Sequence, residues 1–274
     1  MLAALIIVFR EVFEAGLIIG IILAVTRTVP GRSQWIIAGV MAGALGACLV
    51  AAFAGALSSL FTGMGQEVFN TMILGVAVVM LTWHNVWMAR HGKELAGDMR
   101  ATGLAVAEGS KSLLALAIVV GVAVLREGSE VALFLYGVVT SDGGSSENLA
   151  LGGAIGLALG ALVCLLTYQG LLRIPPRPLF KVTTILISLL AAGMAAQAAS
   201  FLERANWLTA LDSIVWDTGW LLPDHSLLGR TLHTLIGYTD QPTVMQLSVY
   251  LSVLLITFLS MRLTGSRTQT LQAI

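Results

Sequence analysis

Charged residues are scarce in this chain of 274 residues. Asp, Glu, Lys and Arg together make up 11% of the sequence, whereas ordinary soluble domains carry about 25%. The 15 basic and 15 acidic residues cancel, so no excess of positive charge points to a nucleic-acid partner. Because 57% of the residues are hydrophobic, the composition predicts an all-α integral membrane protein.

Cysteines and long polar stretches are also scarce. The two cysteines, Cys48 and Cys164, fall within apolar runs, which excludes a disulfide framework or a thiolate metal cluster and favours a packing role. No run is polar enough for a separate soluble domain, so we expect residues 1–274 to form one membrane domain. No basic segment precedes the first apolar run, and we interpret that run as a retained helix rather than a cleaved signal.

Seven apolar segments reach the length of a membrane span, about 20 residues. They are residues 2–25, 35–61, 68–88, 113–139, 149–172, 179–202 and 244–261. Eleven Lys and Arg residues lie beside the connections after the first, third and fifth segments and in the C-terminal tail, against two on the other side. Positive charge marks the cytoplasmic side. The pattern therefore predicts a multi-pass protein of the cell inner membrane with its N-terminus outside and its C-terminus inside.

Two charged motifs interrupt the apolar segments. Arg10-Glu11-Val12-Phe13-Glu14 lies in the first segment, and Arg126-Glu127-Gly128-Ser129-Glu130 repeats its R-E-x-x-E spacing 116 residues later in the fourth. At about 100° per residue, the Arg and both Glu side chains of each motif share one sector of a helix. Ionisable residues in membrane helices are rare and mark functional sites by default.

Two helices lie between the motifs, so the first and fourth segments cross the membrane in opposite directions. We therefore expect an inverted repeat of three helices plus three, with repeat 1 at about residues 1–111 and repeat 2 at about 112–202. An outer interfacial segment, residues 203–242 and here called the outer segment, precedes the seventh helix at 243–262. Transporters built from such repeats bind their substrates near the bilayer midplane, where both motifs fall.

The motif chemistry indicates cation binding. Pairs Arg10–Glu14 and Arg126–Glu130 can lock their helices, but two arginines cannot neutralise four glutamates, and burying uncompensated carboxylates is unfavourable. A cation completes the balance. Carboxylates suit hard ions such as Fe³⁺, Mn²⁺, Mg²⁺ or Ca²⁺ rather than soft copper, and protons are an alternative.

Four further residues are possible accessory ligands: His84 in the third segment, and Asp217, Asp224 and His225 in the outer segment. A hydrogen-bonded helix histidine and a solvated acidic face are the favoured interpretations, with metal binding the alternative. Apolar residues recur among the polar ones in the outer segment, which predicts short interfacial helices broken at Pro223, the second ending at Gly237.

At these residues the chain resembles the oxidase-dependent high-affinity iron permeases, including a bacterial iron uptake permease of the cell envelope. That family's pattern is R-E-G-L-E in the first and fourth helices; here the second motif departs only at Ser129, and the first has Val12-Phe13 in the middle. The resemblance extends to the seven-helix count and to the outer stretch from Asp224 to Tyr238.

The resemblance implies a function. It implies a permease, not an enzyme, that imports ferric iron, or ferrous iron oxidised at the outer face, with iron as transported substrate and no organic cofactor. Glu11, Glu14, Glu127 and Glu130 would bind the metal, supported by Arg10 and Arg126. An extracytoplasmic iron-binding protein and an oxidase or peroxidase are the implied partners.

Three other functions compete with iron import. A permease for another cation, such as lead or manganese, would use the same carboxylates. A seven-helix retinal pigment needs a Schiff-base lysine in its last helix, and the chain has no lysine after Lys181. In a structural membrane subunit, the motifs would only hold helices together, and Glu-to-Gln changes would impair folding rather than transport.

Overall fold

The structure, a computed structural model, describes residues 1–59, 66–142, 146–170, 176–208, 211–224 and 226–270. Within these ranges the regular secondary structure consists of α-helices, and an isolated β-bridge joins Ile214 and Thr243. The all-α prediction is therefore confirmed. Each of the seven predicted apolar segments falls on a helix. The helices are α1 (Leu2–Val25), α2 (Arg32–Ser59), α3 (Gln66–Ala107), α4 (Leu113–Asp142), α5 (Ser146–Tyr168), α6 (Pro176–Arg204), α7 (Leu227–Ile236) and α8 (Val244–Thr270).

Five stretches of the described helices are long and apolar enough to cross a membrane. They are Arg32–Ala56, Asn70–Met88, Glu147–Tyr168, Lys181–Arg204 and Val244–Leu263. Helices α1 and α4 are also long enough to cross a membrane, with 24 and 30 residues. Unlike the five stretches, each contains the arginine and two glutamates of its motif. The chain is a membrane protein.

Helix α3 is longer than the sequence indicates. The third predicted segment ends at residue 88, and the connection expected after it is instead helical as far as Ala107. This stretch contains no proline and is rich in strong helix formers such as Ala, Arg, Lys and Met. The helix stops where Gly109 adopts a φ of +78°, and the Ser110 amide donates back to the Ala105 carbonyl at 2.9 Å.

The two motif helices, α1 and α4, pack against each other, and each also packs against the helix that follows the other in the chain. Helix α1 lies against α5, α4 lies against α2, and α3 lies against α6. Glycines permit the close approach of α2 to α4: a Cβ added at Gly43 would lie 2.5 Å from the Gly121 oxygen and 2.9 Å from the Leu125 nitrogen. Gly156 does the same for α5 on α1, where an added Cβ would lie 2.6 Å from the Leu5 oxygen. Small residues serve such contacts in membrane proteins.

Two buried apolar clusters lie on either side of the motifs. The Phe134 cluster includes Ala3 and Ile7 of α1, Phe134 and Val138 of α4, and residues of α3 and α6. The Leu116 cluster joins Ile18 and Ile22 of α1 to Leu116, Val120 and Ala123 of α4, Ile36 of α2 and Val106 of α3. The chain meets the clusters in opposite order along α1 and α4, so the two helices run antiparallel.

The outer segment contains one of its two predicted short helices. Helix α7 begins after Ser226, whose Oγ accepts from the Gly229 amide at 2.9 Å, and ends at Gly237 with a φ of 70°. The expected first helix is wrong for described residues 205–208 and 211–224, which form turns. Asn206 and Leu211 have positive φ values of 56° and 64°, which an α-helix cannot continue.

The remaining outer backbone is held by the chain that leads into α8. The Thr218 amide donates to the Asp240 carbonyl at 2.9 Å, and the Val215 amide donates to the Pro242 carbonyl at 2.9 Å. These hydrogen bonds take the place of the backbone bonds that a helix would make. They attach this part of the outer segment to the chain before α8.

Substitution of Gly43 by Ala should destabilise the protein, because the added methyl meets the α4 backbone. Overpacking of this kind costs about 1–3 kcal/mol. Gly55 is the matched control in the same helix, since no atom lies within 4 Å of an added Cβ there. Thermal unfolding of the detergent-solubilised chain should give a lower Tm for Gly43→Ala and not for Gly55→Ala. Equal Tm values would contradict this account of the α2–α4 contact.

Candidate functional site

The two motifs meet where α1 crosses α4, between the Phe134 and Leu116 clusters. Arg10 and Glu11 are 1% exposed, and Glu14 and Glu127 are 2% exposed. Apolar side chains separate these groups from both ends of the bundle. The charged groups are therefore enclosed within the helices rather than placed at a wet surface.

Both intrahelical ion pairs expected from the spacing are present. Arg10 Nε lies 3.0 Å from Glu14 Oε1, and Arg126 Nε lies 3.2 Å from Glu130 Oε1. Each arginine also approaches the first glutamate of its own motif, at 3.4 Å for Arg10 and Glu11 and 3.9 Å for Arg126 and Glu127. The arginines therefore orient the carboxylates of their own helices.

The carboxylates of the two helices converge on one point. Glu11, Glu127, Glu130 and His84 each offer one ligand atom, and these four atoms lie within 4.8 Å of one another. The Oε2 atoms of Glu11 and Glu127 are buried without a hydrogen-bond donor among the described residues. Two guanidinium groups and four carboxylates leave a formal charge of −2 when the histidine is neutral. We call these four converging residues the donor cluster.

Glu14 occupies a different position from the other three glutamates. It pairs with Arg10, and its Oε2 lies 3.7 Å from His84 Nε2. The four predicted metal glutamates are thus neighbours, with three in the donor cluster and Glu14 behind the imidazole.

His84 links the two motifs from a third helix, α3. Its Nδ1 contacts Glu130 of the second motif, while its Nε2 faces Glu14 of the first. The ring is 3% exposed and stands edge-on to Phe134 at 6.4 Å between centroids. The sequence analysis names His84 only as a possible accessory ligand. The only feature of the sequence that points to a metal role for it is the presence of an imidazole within an apolar segment.

A cleft of about 360 Å³ borders the donor cluster on the side of α3 and α4. Its lining residues are Met80, Trp83, His84, Trp87, Arg126 and Glu130. The Arg126 guanidinium lies 4.2 Å above the Trp87 ring, a cation–π contact. Arg126 has 31% of its side chain exposed, against 1% for Arg10. Glu130 and His84 are therefore the cluster members that reach the cleft.

The unusual middle residues of the first motif are accommodated by small residues opposite them. Val12 faces Gly160 of α5, where an added Cβ would lie 2.9 Å from Val12 Cγ1. In the second motif the small residue is Gly128 itself, against Ala47 of α2. Phe13 is buried and stacks on Phe9 at 6.2 Å. Both motif helices thus keep close contact with a neighbouring helix. The glycine lies on the neighbour, α5, in the first case and on the motif helix, α4, in the second.

The acidic candidates of the outer segment have partners within that segment. Asp217 accepts from the Gly219 amide at 2.9 Å and from Gln241 Nε2 at 3.0 Å. Asp224 and Asp240 each accept from the other's backbone amide, at 3.0 and 3.2 Å. Burial and the nearby Asp240 carboxylate raise the pKa of Asp224 above its usual value. His225 lies outside the described residues.

Comparison with known proteins identifies the family of this chain. A sequence profile of the iron permease FTR1 family matches residues 1–267. The chain is 32% identical over 255 residues to the ferrous iron permease EfeU of Escherichia coli O6:H1, covering 91% of each chain. It is 32% identical over 254 residues to the ferrous iron permease EfeU of Yersinia pestis, covering 91% of this chain and 89% of that one.

A third relative is also a ferrous iron permease EfeU. The ferrous iron permease EfeU of Yersinia pseudotuberculosis serotype I is 33% identical over 248 residues, covering 89% of this chain and 86% of the relative. No solved structure matches the chain. The profile covers nearly the whole sequence, and the chain belongs to the iron permease FTR1 family.

Proposed function

We propose that this chain imports iron across the cell inner membrane and binds it at the donor cluster. The observation that carries the proposal is the convergence of three negatively charged groups, the buried Glu11 and Glu127 and the largely buried Glu130, at the crossing of two helices. Family membership supplies iron as the transported ion. The chain moves the ion without chemically converting it.

The proposed architecture has seven membrane helices, α1 to α6 and α8, with α7 at the outer interface. The N-terminus lies outside and the C-terminus inside. Helices α1–α3 and α4–α6 form an inverted repeat. Three packing features support this: α1 and α4 run antiparallel, the second helix of each half packs on the first helix of the other, and α3 packs on α6.

Transport would proceed by alternating access around the donor cluster. The Phe134 cluster closes one end of the site and the Leu116 cluster closes the other, while the cleft beside Glu130 borders it laterally. Rocking of the two halves would separate the side chains of either cluster while the other cluster stays closed, as in other transporters built from inverted repeats. The fixed ion site at the crossing would then face each side in turn.

The charge of the site favours Fe²⁺ as the bound form. Four carboxylates and two guanidinium groups leave −2, which a divalent ion neutralises and a trivalent ion exceeds. The named relatives are ferrous iron permeases. Fe³⁺, formed by oxidation at the outer face, is the alternative form from the sequence analysis. An extracytoplasmic iron-binding protein and an oxidase or peroxidase remain the proposed partners.

Glu127→Gln should abolish iron uptake, since it removes one negative charge and one ligand oxygen from the donor cluster. Uptake of labelled iron into proteoliposomes, with Fe²⁺ and Fe³⁺ chelate supplied separately, measures the effect. We expect a loss of at least about 100-fold, in the upper range seen when metal-site residues are altered. Glu108→Gln, at an exposed position after α3, is the matched control and should transport normally.

The same assay separates the competing functions. Competition by Mn²⁺ or Pb²⁺ that removes iron flux at equal concentration would favour a permease for another metal. Wild-type flux in correctly inserted Glu127→Gln would overturn the carboxylate site. Loss of folding in that variant, with no flux in the wild type, would favour a structural subunit.

The proposed orientation predicts which positions an impermeant thiol reagent reaches. In a variant with Cys48 and Cys164 replaced by Ala, Asp212→Cys should be labelled from outside intact cells, and Ser110→Cys only after the membrane is opened. Both positions are exposed. The reverse labelling pattern, or labelling of both from outside, would contradict the N-out, C-in arrangement.

A further inference from the structure

We propose that His84 is a direct ligand of the transported metal and selects transition-metal dications over Mg²⁺ and Ca²⁺. This inference rests on the proposed function and assigns one further residue to the same site. It starts from the composition of the donor cluster, which joins three carboxylates to one imidazole nitrogen within 4.8 Å. Of these four groups, His84 alone lies outside the two motifs.

The spacing of the four ligand atoms suits a single ion. Metal–nitrogen and metal–oxygen bonds of about 2.0–2.2 Å place ligands on opposite sides of an ion about 4 Å apart. The donor cluster spans at most 4.8 Å between any two of its ligand atoms. The largest separation is therefore within an ångström of the distance between two ligands on opposite sides of one ion.

The surroundings of His84 match those of a metal-bound histidine. Such a ring binds the metal through one nitrogen and donates its other N–H to a carboxylate, which fixes its orientation. Glu14 places a carboxylate on that side of the ring, with its Oε2 3.7 Å from Nε2 and just beyond hydrogen-bond distance. Nδ1 then remains on the side of Glu130, a member of the donor cluster. With Nδ1 as the proposed metal ligand, the proton of the neutral ring would lie on Nε2, on the side of Glu14.

The position of Glu14 agrees with this division of roles. It lies behind the imidazole and is held by Arg10 at 3.0 Å, so it orients His84 while the other three glutamates face the ion. Burial keeps the arrangement rigid, since His84 is 3% exposed and its ring contacts Phe134.

An imidazole changes which ions the site prefers. Carboxylates alone suit Mg²⁺, Ca²⁺ and Mn²⁺, whereas imidazole suits iron, nickel, copper and zinc. Three carboxylates without His84 would discriminate poorly against the alkaline-earth ions. With His84 the site gains affinity for Fe²⁺ while Mg²⁺ and Ca²⁺, which favour oxygen ligands, gain little.

The competing explanation is purely electrostatic. A protonated His84 could bridge Glu14 and Glu130 as a counter-ion, and its loss would then weaken the protein without changing ion preference. The two explanations differ in metal preference and in the identity of the atom that touches the metal. Both differences can be measured in the full-length chain.

The first measurement is metal binding by His84→Gln, which keeps a polar side chain but removes the imidazole. Equilibrium binding of Fe²⁺ and Mg²⁺ to the purified chain, without oxygen, should show Fe²⁺ affinity falling by roughly 10–100-fold and Mg²⁺ affinity changing little. His91→Gln is the matched control, since His91 lies two turns further along α3 and stacks on Trp87 outside the donor cluster. Equal Fe²⁺ to Mg²⁺ preference in both variants would overturn the inference.

The second measurement is spectroscopic and needs no transport. His84→Cys places a thiol close to the position of Nδ1, and a cysteine thiolate bound to Co²⁺ gives a sulfur-to-metal charge-transfer band. We expect this band in Co²⁺-loaded His84→Cys and in neither the wild type nor His91→Cys. The control is that Glu127→Gln abolishes Co²⁺ binding, which shows that Co²⁺ occupies the donor cluster. If Co²⁺ binds there in His84→Cys without the band, residue 84 does not touch the metal.

Failure of this inference is distinguishable from failure of the proposed function. If wild-type protein carries iron and Glu127→Gln does not, the carboxylate site stands whatever His84 does. If the wild type neither binds Co²⁺ nor carries iron, both proposals fall. A lower Tm for His84→Gln with unchanged ion preference would assign His84 to the electrostatic role and overturn its role as a ligand.

Discussion

The structure depends on six charged side chains gathered at one helix crossing, four of which are buried. Each charged residue at the centre of a membrane helix costs about 2.5–3.5 kcal/mol on insertion scales, so the arginines and glutamates require partners. Each arginine pairs with the glutamate four residues later in its own helix, which satisfies some of the charge. The surplus carboxylates of Glu11 and Glu127 face each other across the crossing. A cation would relieve that repulsion, so the charge arrangement that is unfavourable for folding is the one that supports the proposed ion site.

Close helix packing makes this charge arrangement geometrically possible. Helices α2 and α5 approach α4 and α1 through glycines, including Gly43 and Gly156, which draws the motif helices inward and encloses them. The Phe134 and Leu116 clusters then exclude water from both ends. In this low-dielectric interior the attraction between an ion and carboxylates is stronger than in water. Packing and ion affinity are therefore two results of the same small residues.

The two halves are alike in motif but unequal in surroundings. Arg10 is enclosed, whereas Arg126 is partly exposed beside Trp87 at the cleft. Helix α3 brings a histidine to the donor cluster, while the residue 116 positions later, Ser200 of α6, is not among the four converging donors. The cleft and the imidazole thus lie on the side of α3, so the donor cluster has one nitrogen and two different sides although its two motifs are alike.

Much of this protein could be predicted from the sequence because its strongest signals are local. Apolar runs of membrane length lie on helices α1 to α6 and α8, and the spacing of Arg10, Glu11 and Glu14 requires one helical sector, as does that of the second motif. Gly237 ends α7 for the same local reason, a left-handed backbone conformation. The extension of α3 to Ala107 and the turns around Asn206 were missed, because polar helix and polar loop have similar compositions.

The sequence by itself determined the helices, the two motifs and the surplus of negative charge, all of which follow from residue type and spacing along the chain. Only the tertiary structure decided which carboxylates share one site, that Glu14 stands behind an imidazole, and that His84 joins Glu11, Glu127 and Glu130. The contacts of Asp217 with Gln241 and of Asp224 with Asp240 likewise depend on the folded outer segment. The physical reason is that convergence depends on crossing positions of helices far apart in sequence, which no local pattern encodes.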